Sequence, residues 1–458
     1  MKSNIQEKIQ LIFIGEQDLV TPEGRAKERA RRIAQTSASA IVARVINVLS
    51  GLITVPLTLP YFGVELFGIW MALTGFIAIL SFTDLGLGIG LQSALTKCYA
   101  KNDRLTPSKL NASAFGLIFI MVLVLSAFSI FLVPMLDLTN VIDVSEPGSE
   151  IILTQLAQCI LLVFAFGLPA GIIQRIFIAY QDGLALNILL IVGRLIGLFS
   201  IFVCVYLQQS LITIAALYMG TPLIVITLGG IYLFWTKSWL RPDFRSINTS
   251  MVKSILSVGV AALSAQIGGS IMSTGPLLVL SSQYGAKAVV PYILTQRLLS
   301  VVQMVISVGI GPLWPAYGEA KVRGDHLWIK STFYKSLKLS MAIALISFLF
   351  FMVFGQSVIS IWADNAVAVP GLGLLFACCI IMVIGAWTGA FAAFLNGLDQ
   401  FKGQAIYGLL LPILAVYLGV NFSEGLGFVL TLWLFILVGE LTRILLMAFE
   451  SYRLLRWL

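Results

Sequence analysis

The sequence predicts an all-α membrane protein of twelve transmembrane helices in two pseudo-symmetric six-helix lobes. Of its 458 residues, 59% are hydrophobic and only 11% are charged, a balance that soluble domains do not keep. Apolar runs of about 20 residues recur along nearly the whole chain, the length a helix needs to cross a hydrocarbon core of about 30 Å. The runs are continuous instead of alternating, which selects helices over barrel strands.

The predicted spans fall at roughly 32–60, 64–97, 107–136, 150–180, 184–208, 211–236, 252–283, 287–318, 327–362, 369–396, 404–421 and 425–450. No cleavable signal is expected, because the first apolar patch, Ile9 to Ile14, is short and the basic run GRAKERARR follows it. Residues 1–31 then form a cytoplasmic arm, 32–236 a first lobe, 237–250 a cytoplasmic linker and 251–458 a second lobe. With the amino terminus inside, the inner loops and helix ends collect Lys97, Lys101, Arg104, Lys237, Arg241, Lys321 and Lys335, among others. The outer loops hold Lys287 as their one cation and are acidic at Glu65, Asp137, Asp143, Glu146 and Glu424. This asymmetry obeys the positive-inside rule and places both termini in the cytoplasm. The formal charge of +8 is therefore a topology signal and not a nucleic-acid signature.

No predicted loop is long enough to hold a soluble catalytic domain. Paired carboxylates, HExxH, a phosphate-cradling loop and a nucleophile elbow are all missing from the sequence. The five cysteines lack metal-ligand spacing, and the single histidine, His326, falls in a polar loop beside Lys321 and Arg323. No catalytic or metal-binding residue is expected. Movement of a solute across the membrane is the remaining class of function.

Sliding the chain against itself by 222 positions aligns PYFGVELFG with SSQYGAKAV, matching Gly63 to Gly285, and CYAKND with AKVRGD, matching Asp103 to Asp325. A parallel repeat of this kind implies two lobes related by an axis along the membrane normal, with a cleft between them. In the first span Ser37, Arg44, Asn47, Thr54 and Thr58 fall on one helical face, and in the seventh Gly259, Ala262, Gln266, Gly269 and Ser273 fall on the equivalent face. Both faces are expected to line water.

The stretch from Tyr61 to Asp103, YFGVELFGIWMALTGFIAILSFTDLGLGIGLQSALTKCYAKND, carries a YFG turn, an FGxW and a DLGLGxGL run in that order. It resembles the second helix of the O-antigen (Wzx-type) polysaccharide flippases of the multidrug/oligosaccharidyl-lipid/polysaccharide exporter superfamily. The second half offers only a general counterpart, VGIGPLWPAYGE, without the aspartate. The resemblance implies a MATE-like fold in the inner membrane and translocation of an undecaprenyl-diphosphate-linked oligosaccharide to the outer leaflet by alternating access. Its implied partners are the lipid-linked oligosaccharide, membrane lipids and polysaccharide assembly proteins, with no nucleic acid and no cofactor beyond a proton or sodium gradient. A cation-coupled multidrug antiporter and a nontransport membrane scaffold stay open as alternatives.

By the rise of an α-helix, Arg194 stands ~18 Å from Asp182 and Arg297 ~15 Å from Lys287, both near the middle of the bilayer. An intramembrane arginine is costly unless it faces a protein interior or a wet cavity. Its guanidinium stays charged and offers a fork suited to phosphate oxygens. Arg194, Arg297 and the shallower Arg44, with Gln266, Asn47 and Gln296, are therefore the expected diphosphate- and sugar-binding residues. The alternative is that these arginines pin helices together by bonding to backbone carbonyls. Asp84 and Glu440 are candidate ion-coupling carboxylates, although Asp84 equally fits an interfacial residue and Glu440 a local ion pair with Arg443. Gly86, Gly88, Gly90 and Pro312 are expected at a gate or bend, where small residues let a neighbouring backbone approach.

Overall fold

In the computed structural model of the protein, residues 22–80, 87–144, 148–311, 313–363, 369–398, 400 and 402–457 are described, and the apolar runs within them are helical. Asp84, Gly86 and Pro312 lie outside the described residues, as does the side chain of Gln266. The helices are α1 Pro22–Leu80, α2 Leu87–Ala100, α3 Thr106–Ala127, α4 Ser149–Ala179, α5 Gly183–Tyr206, α6 Leu211–Thr236 and α7 Thr249–Ala288. There follow α8 Val290–Ile310, α9 Leu313–Arg323, α10 His326–Trp362, α11 Leu372–Gly397, α12 Lys402–Leu426, α13 Phe428–Leu434 and α14 Thr442–Trp457. A π-helical segment, Phe435–Leu441, joins α13 to α14. Among the described residues, 10 segments are long and apolar enough to cross a membrane.

Two helices are interrupted by glycine. Gly63 in α1 has φ 80° and ψ 173°, and Gly285 in α7 has φ 86° and ψ 160°, a region that only glycine enters without strain. The break at Gly63 separates the segments predicted as spans 32–60 and 64–97. The predicted span 287–318 is shorter than expected, since α8 stops at Ile310 and α9 begins at Leu313. Pro312 stands between them in the sequence; proline lacks the N–H a continuing helix needs.

The positions matched by the 222-residue shift share their backbone geometry. Besides Gly63 and Gly285, the shift pairs Asn102 (φ 56°) with Gly324 (φ 76°), both left-handed. Each is followed by an aspartate whose N–H closes the same helix-ending loop: Asp103 donates to the Cys98 carbonyl and Asp325 to the Ala320 carbonyl, both at 2.9 Å. These are paired Schellman ends. Glu65 and Lys287, also equivalent under the shift, form an ion pair at 3.5 Å. Glu65 is 1% exposed, so it is a buried partner instead of a free outer-loop charge.

The chain forms two compact units. One comprises Met1–Ser50, Thr83–Pro134 and Gln158–Ala262. Its core gathers Leu87, Leu91 and Leu95 of α2 with Leu110 and Ile118 of α3 and Ile173, Ile176 and Phe177 of α4. Gly88 and Gly90 are buried in α2, and a Cβ on Gly90 would lie 1.9 Å from the Ile255 carbonyl oxygen of α7. Gly90 thus permits backbone contact between α2 and α7. The other unit comprises Gly51–Phe82, Met135–Ala157 and Leu263–Leu458. Its aromatic core includes Phe333 and Phe394, with ring centroids 4.4 Å apart, and Tyr317, 5.7 Å from Phe394. On α10, Ile346, Leu349 and Val353 are 68%, 64% and 70% exposed. Their spacing of threes and fours makes one apolar stripe, which hydrocarbon would solvate and water would not.

Gly90→Val should destabilise the protein by roughly 1–3 kcal/mol, because the added methyls meet backbone and not a side chain that can move. Gly171→Ala, at a helical position where a Cβ meets nothing within 4 Å, should be neutral or stabilising by roughly 0.5–1 kcal/mol. Thermal unfolding of the detergent-solubilised protein checks both, and equal melting temperatures would contradict the backbone-contact assignment.

Candidate functional site

Among the polar side chains within the spans, the predicted site residues fall in one place in each unit. In the first, Asn187 on α5 donates to the Thr36 carbonyl at 3.1 Å and to Ser39 Oγ at 2.9 Å. Two turns further along, Arg194 Nε donates to Asn47 Oδ1 at 2.8 Å, and a terminal guanidinium nitrogen donates to the same oxygen. The guanidinium carbon stands 5.0 Å from the centroid of the Tyr218 ring, within cation–π range. Close packing of α5 on α6 makes this contact: a Cβ on Gly197 would lie 3.1 Å from the Tyr218 carbonyl oxygen. Arg194 is half-buried, whereas Ser37, Arg44 and Asn47 are exposed on α1.

The stripe on α1 does not stay open along its length. Thr54 and Thr58 are fully buried, and Thr58 Oγ1 donates to the Thr54 carbonyl at 2.8 Å. The expectation that they line water is corrected: a hydroxyl bonded to its own helix can be buried without solvent.

In the second unit a cavity of about 470 Å³ is lined in part by Ser273 of α7, by Gln296, Arg297, Ser300 and Gln303 of α8, and by Glu440. The α8 residues recur at threes and fours and so share a face. Arg297 Nη1 donates to the Gly51 carbonyl at 2.7 Å, and Nη2 lies 2.8 Å from Met71 Sδ. The residue therefore has a bond to a backbone carbonyl and a place in the wall of a cavity that is otherwise largely apolar, with Met272, Leu277, Ile293 and Phe435 in its lining. Gln303 Nε2 donates to the Met382 carbonyl at 2.9 Å. Glu440 reaches the wall from the π-helical segment, whose wider turn also presents Phe435 and Ile436 to the cavity. Its carboxylate pairs with Arg443 at 2.6 Å, with the two side chains 12% and 19% exposed.

The structure thus joins Asn47 to Arg194 in one unit, and brings Gln296, Arg297 and Glu440 to one cavity in the other. Sequence reasoning missed Tyr218, which sits in an apolar run that reads as lipid-facing, and Tyr292, a buried member of the cavity wall. It also missed the π-helical turn, whose one signal was the isolated glutamate in FILVGEL.

The fold of the described residues is shared with solved structures. A multidrug resistance MATE family transporter of the MOP superfamily, solved in an inward-facing conformation, superposes with a TM-score of 0.73 at 16% identity, covering 90% of this chain and 94% of that one. A MOP superfamily transporter from Pyrococcus furiosus superposes with a TM-score of 0.63 at 15% identity, covering 93% and 96%. Residues 33–321 match the polysaccharide biosynthesis protein family, and the chain belongs to that family, as the resemblance carried by Tyr61 to Asp103 implies. Among its relatives, a candidate O-antigen transporter of Salmonella typhi is 24% identical over 421 residues, covering 89% of this chain and 93% of the relative. A second, from Salmonella typhimurium, is 22% identical over 381 residues, covering 80% and 84%.

Removing one member of the part-buried Glu440–Arg443 pair leaves the other charge without this partner, so Glu440→Ala should lower the amount of inserted protein, at a cost below the roughly 3–5 kcal/mol of a fully buried pair. The double variant Glu440→Ala/Arg443→Ala should recover most of that loss. Quantitative immunoblotting of membranes checks this; an abundance for the double variant no better than for Glu440→Ala would contradict a structural pair.

Proposed function

We propose that this protein is a flippase that moves an undecaprenyl-diphosphate-linked oligosaccharide, an O-antigen, capsule or related repeat unit, from the cytoplasmic to the outer leaflet of the inner membrane. The observation that carries this reading is Arg297 in a cavity wall beside Gln296 and Ser300, on a chain of the polysaccharide biosynthesis family with relatives named for O-antigen transport. A diphosphate needs charged, forked donors within the membrane, and a sugar needs amides and hydroxyls. Arg297 and Gln296 are assigned those roles, and Arg194, Arg44, Asn47 and Gln266 are further substrate contacts.

The reading includes twelve spans in two six-helix lobes, 32–236 and 251–458, joined by a linker at 237–250 and preceded by a cytoplasmic arm at 1–31. The breaks at Gly63 and Gly285 and the shared Schellman ends support it. Both termini are cytoplasmic, and the lobes work by alternating access. Energy comes from a proton or sodium gradient through Asp84 or Glu440, or from downstream polysaccharide assembly proteins that consume the exported unit. Gly86, Gly88, Gly90 and Pro312 serve the gate. A cation-coupled multidrug antiporter is the second reading, favoured by the Glu440 carboxylate in the cavity wall and weakened by the Arg443 side chain that already neutralises it.

Deleting the gene should abolish surface polysaccharide and accumulate lipid-linked repeat units on the inner side; unchanged polysaccharide with altered drug sensitivity would favour the antiporter. Arg297→Ala should remove a charge-assisted contact of ~1.5–3 kcal/mol, roughly ten- to a hundredfold in affinity. Lysine should restore part of the export per inserted molecule, and glutamine should not. Full export per molecule by the double alanine variant at Arg194 and Arg297 would exclude the binding role, and abundance falling in step with export would mark them as helix pins.

A further inference from the structure

A second cavity, of about 280 Å³, lies in the second unit between α8 and α10. Its walls are apolar side chains of both helices, Val305, Ile306 and Ile310 facing Leu339 and Ile343. The space exists because Gly309 has no side chain, and a Cβ there would meet nothing within 4 Å. Both serine hydroxyls at the groove are satisfied within α10: Ser336 donates to the Phe333 carbonyl and Ser340 to the Ser336 carbonyl, both at 2.8 Å, and Thr332 adds a third hydroxyl at the Lys335 end. A hydroxyl bonded in this way asks for no polar ligand. The groove is therefore mainly apolar along its walls and has one charge in its lining, the exposed Lys335, which has no ion-pair partner among the described residues.

The position of Lys335 says what its ammonium meets. α10 runs for 37 residues, ~55 Å at the helical rise, well beyond the ~30 Å of hydrocarbon. The surplus puts the first turns of α10 at head-group level. Exposed Trp328 and Tyr334, each 44% exposed, are the amphipathic aromatics that settle at that depth. Lys330 and Lys338 are exposed beside them, and the positive-inside asymmetry assigns this end to the cytoplasmic leaflet.

We infer that the α8–α10 groove holds one acyl chain of an anionic phospholipid, whose phosphodiester meets the Lys335 ammonium. Lysine is a point charge that suits a phosphodiester, whereas a diphosphate calls for the forked donors of an arginine. The neighbouring lysines disfavour a head group that carries its own ammonium. This site is separate from the cavity that contains Arg297 and does not depend on the transported substrate.

Native mass spectrometry of the full chain, released from detergent after incubation with defined lipids, tests the assignment. The probes are phosphatidylglycerol, phosphatidylcholine, undecaprenyl phosphate and inorganic phosphate, each added alone and in competition. Phosphatidylglycerol should be retained in preference to phosphatidylcholine, and inorganic phosphate should not displace it. Lys335→Gln should weaken retention about fivefold, while Lys101→Gln, a change at an exposed lysine of another inner loop, should leave it unaltered. Gly309→Leu, which fills the groove, should remove the retained lipid, and Val305→Trp serves the same purpose if that variant does not insert. Equal retention of the two phospholipids, or undiminished phosphatidylglycerol on Lys335→Gln and a groove-filling variant, would overturn the inference. So would displacement by undecaprenyl phosphate, since the groove would then seat a polyprenyl chain.

Discussion

Hydrocarbon offers no hydrogen bonds, so each polar atom within a span must find a partner in the protein or open onto water. The arrangement of this chain follows from that constraint. Thr58 is satisfied by its own helix and is buried. Arg194 is held by Asn47 and stands against an aromatic face. Arg297 is divided between a carbonyl bond and a cavity wall, and Glu440 between the same wall and an ion pair. The residues that satisfy themselves locally are structural, and those that also reach a cavity are the ones assigned to substrate in the proposed function.

The paired glycine breaks explain how long apolar stretches become separate segments. A helix that ran unbroken through Gly63 would carry the apolar residues of two spans in one direction. A positive φ at Gly63 and Gly285 interrupts it at equivalent places, and the Glu65–Lys287 ion pair links the residues two positions beyond each break. Equivalent geometry at Asn102–Asp103 and Gly324–Asp325 extends the correspondence to the ends of the following segments. Such agreement in backbone dihedrals and hydrogen-bond register is a stricter test of an internal repeat than residue identity, because hydrophobic sequences align easily and seldom share left-handed positions.

Much of this was legible in the sequence where the constraint is strong. Apolar run length marks the helices, and a mid-span arginine on a polar face marks a cavity: Gln296, Arg297 and Ser273, read from two separate spans, line the same one. Where the constraint is weak the sequence is silent. A polar stripe shows which face of α1 is special but not where along its length another helix covers it, so Thr54 and Thr58 were misread. Tyr218 looks like one more apolar residue until close packing at Gly197 brings α5 beside it. The π-helical turn at Phe435–Leu441 depends on the register of one extra residue, which no periodicity in so apolar a segment records. Asp84, the residue that gives the Tyr61 to Asp103 stretch its character, lies outside the described residues.

The central claim is that Arg297 recognises phosphate from within the membrane. Binding of undecaprenyl diphosphate to purified protein, compared between the native chain and Arg297→Lys, Arg297→Gln and Arg297→Ala at equal folded concentration, tests it most directly. The account predicts affinity falling in that order, with the lysine variant intermediate and the glutamine and alanine variants reduced roughly ten- to a hundredfold. Equal affinity across all four folded proteins would contradict it.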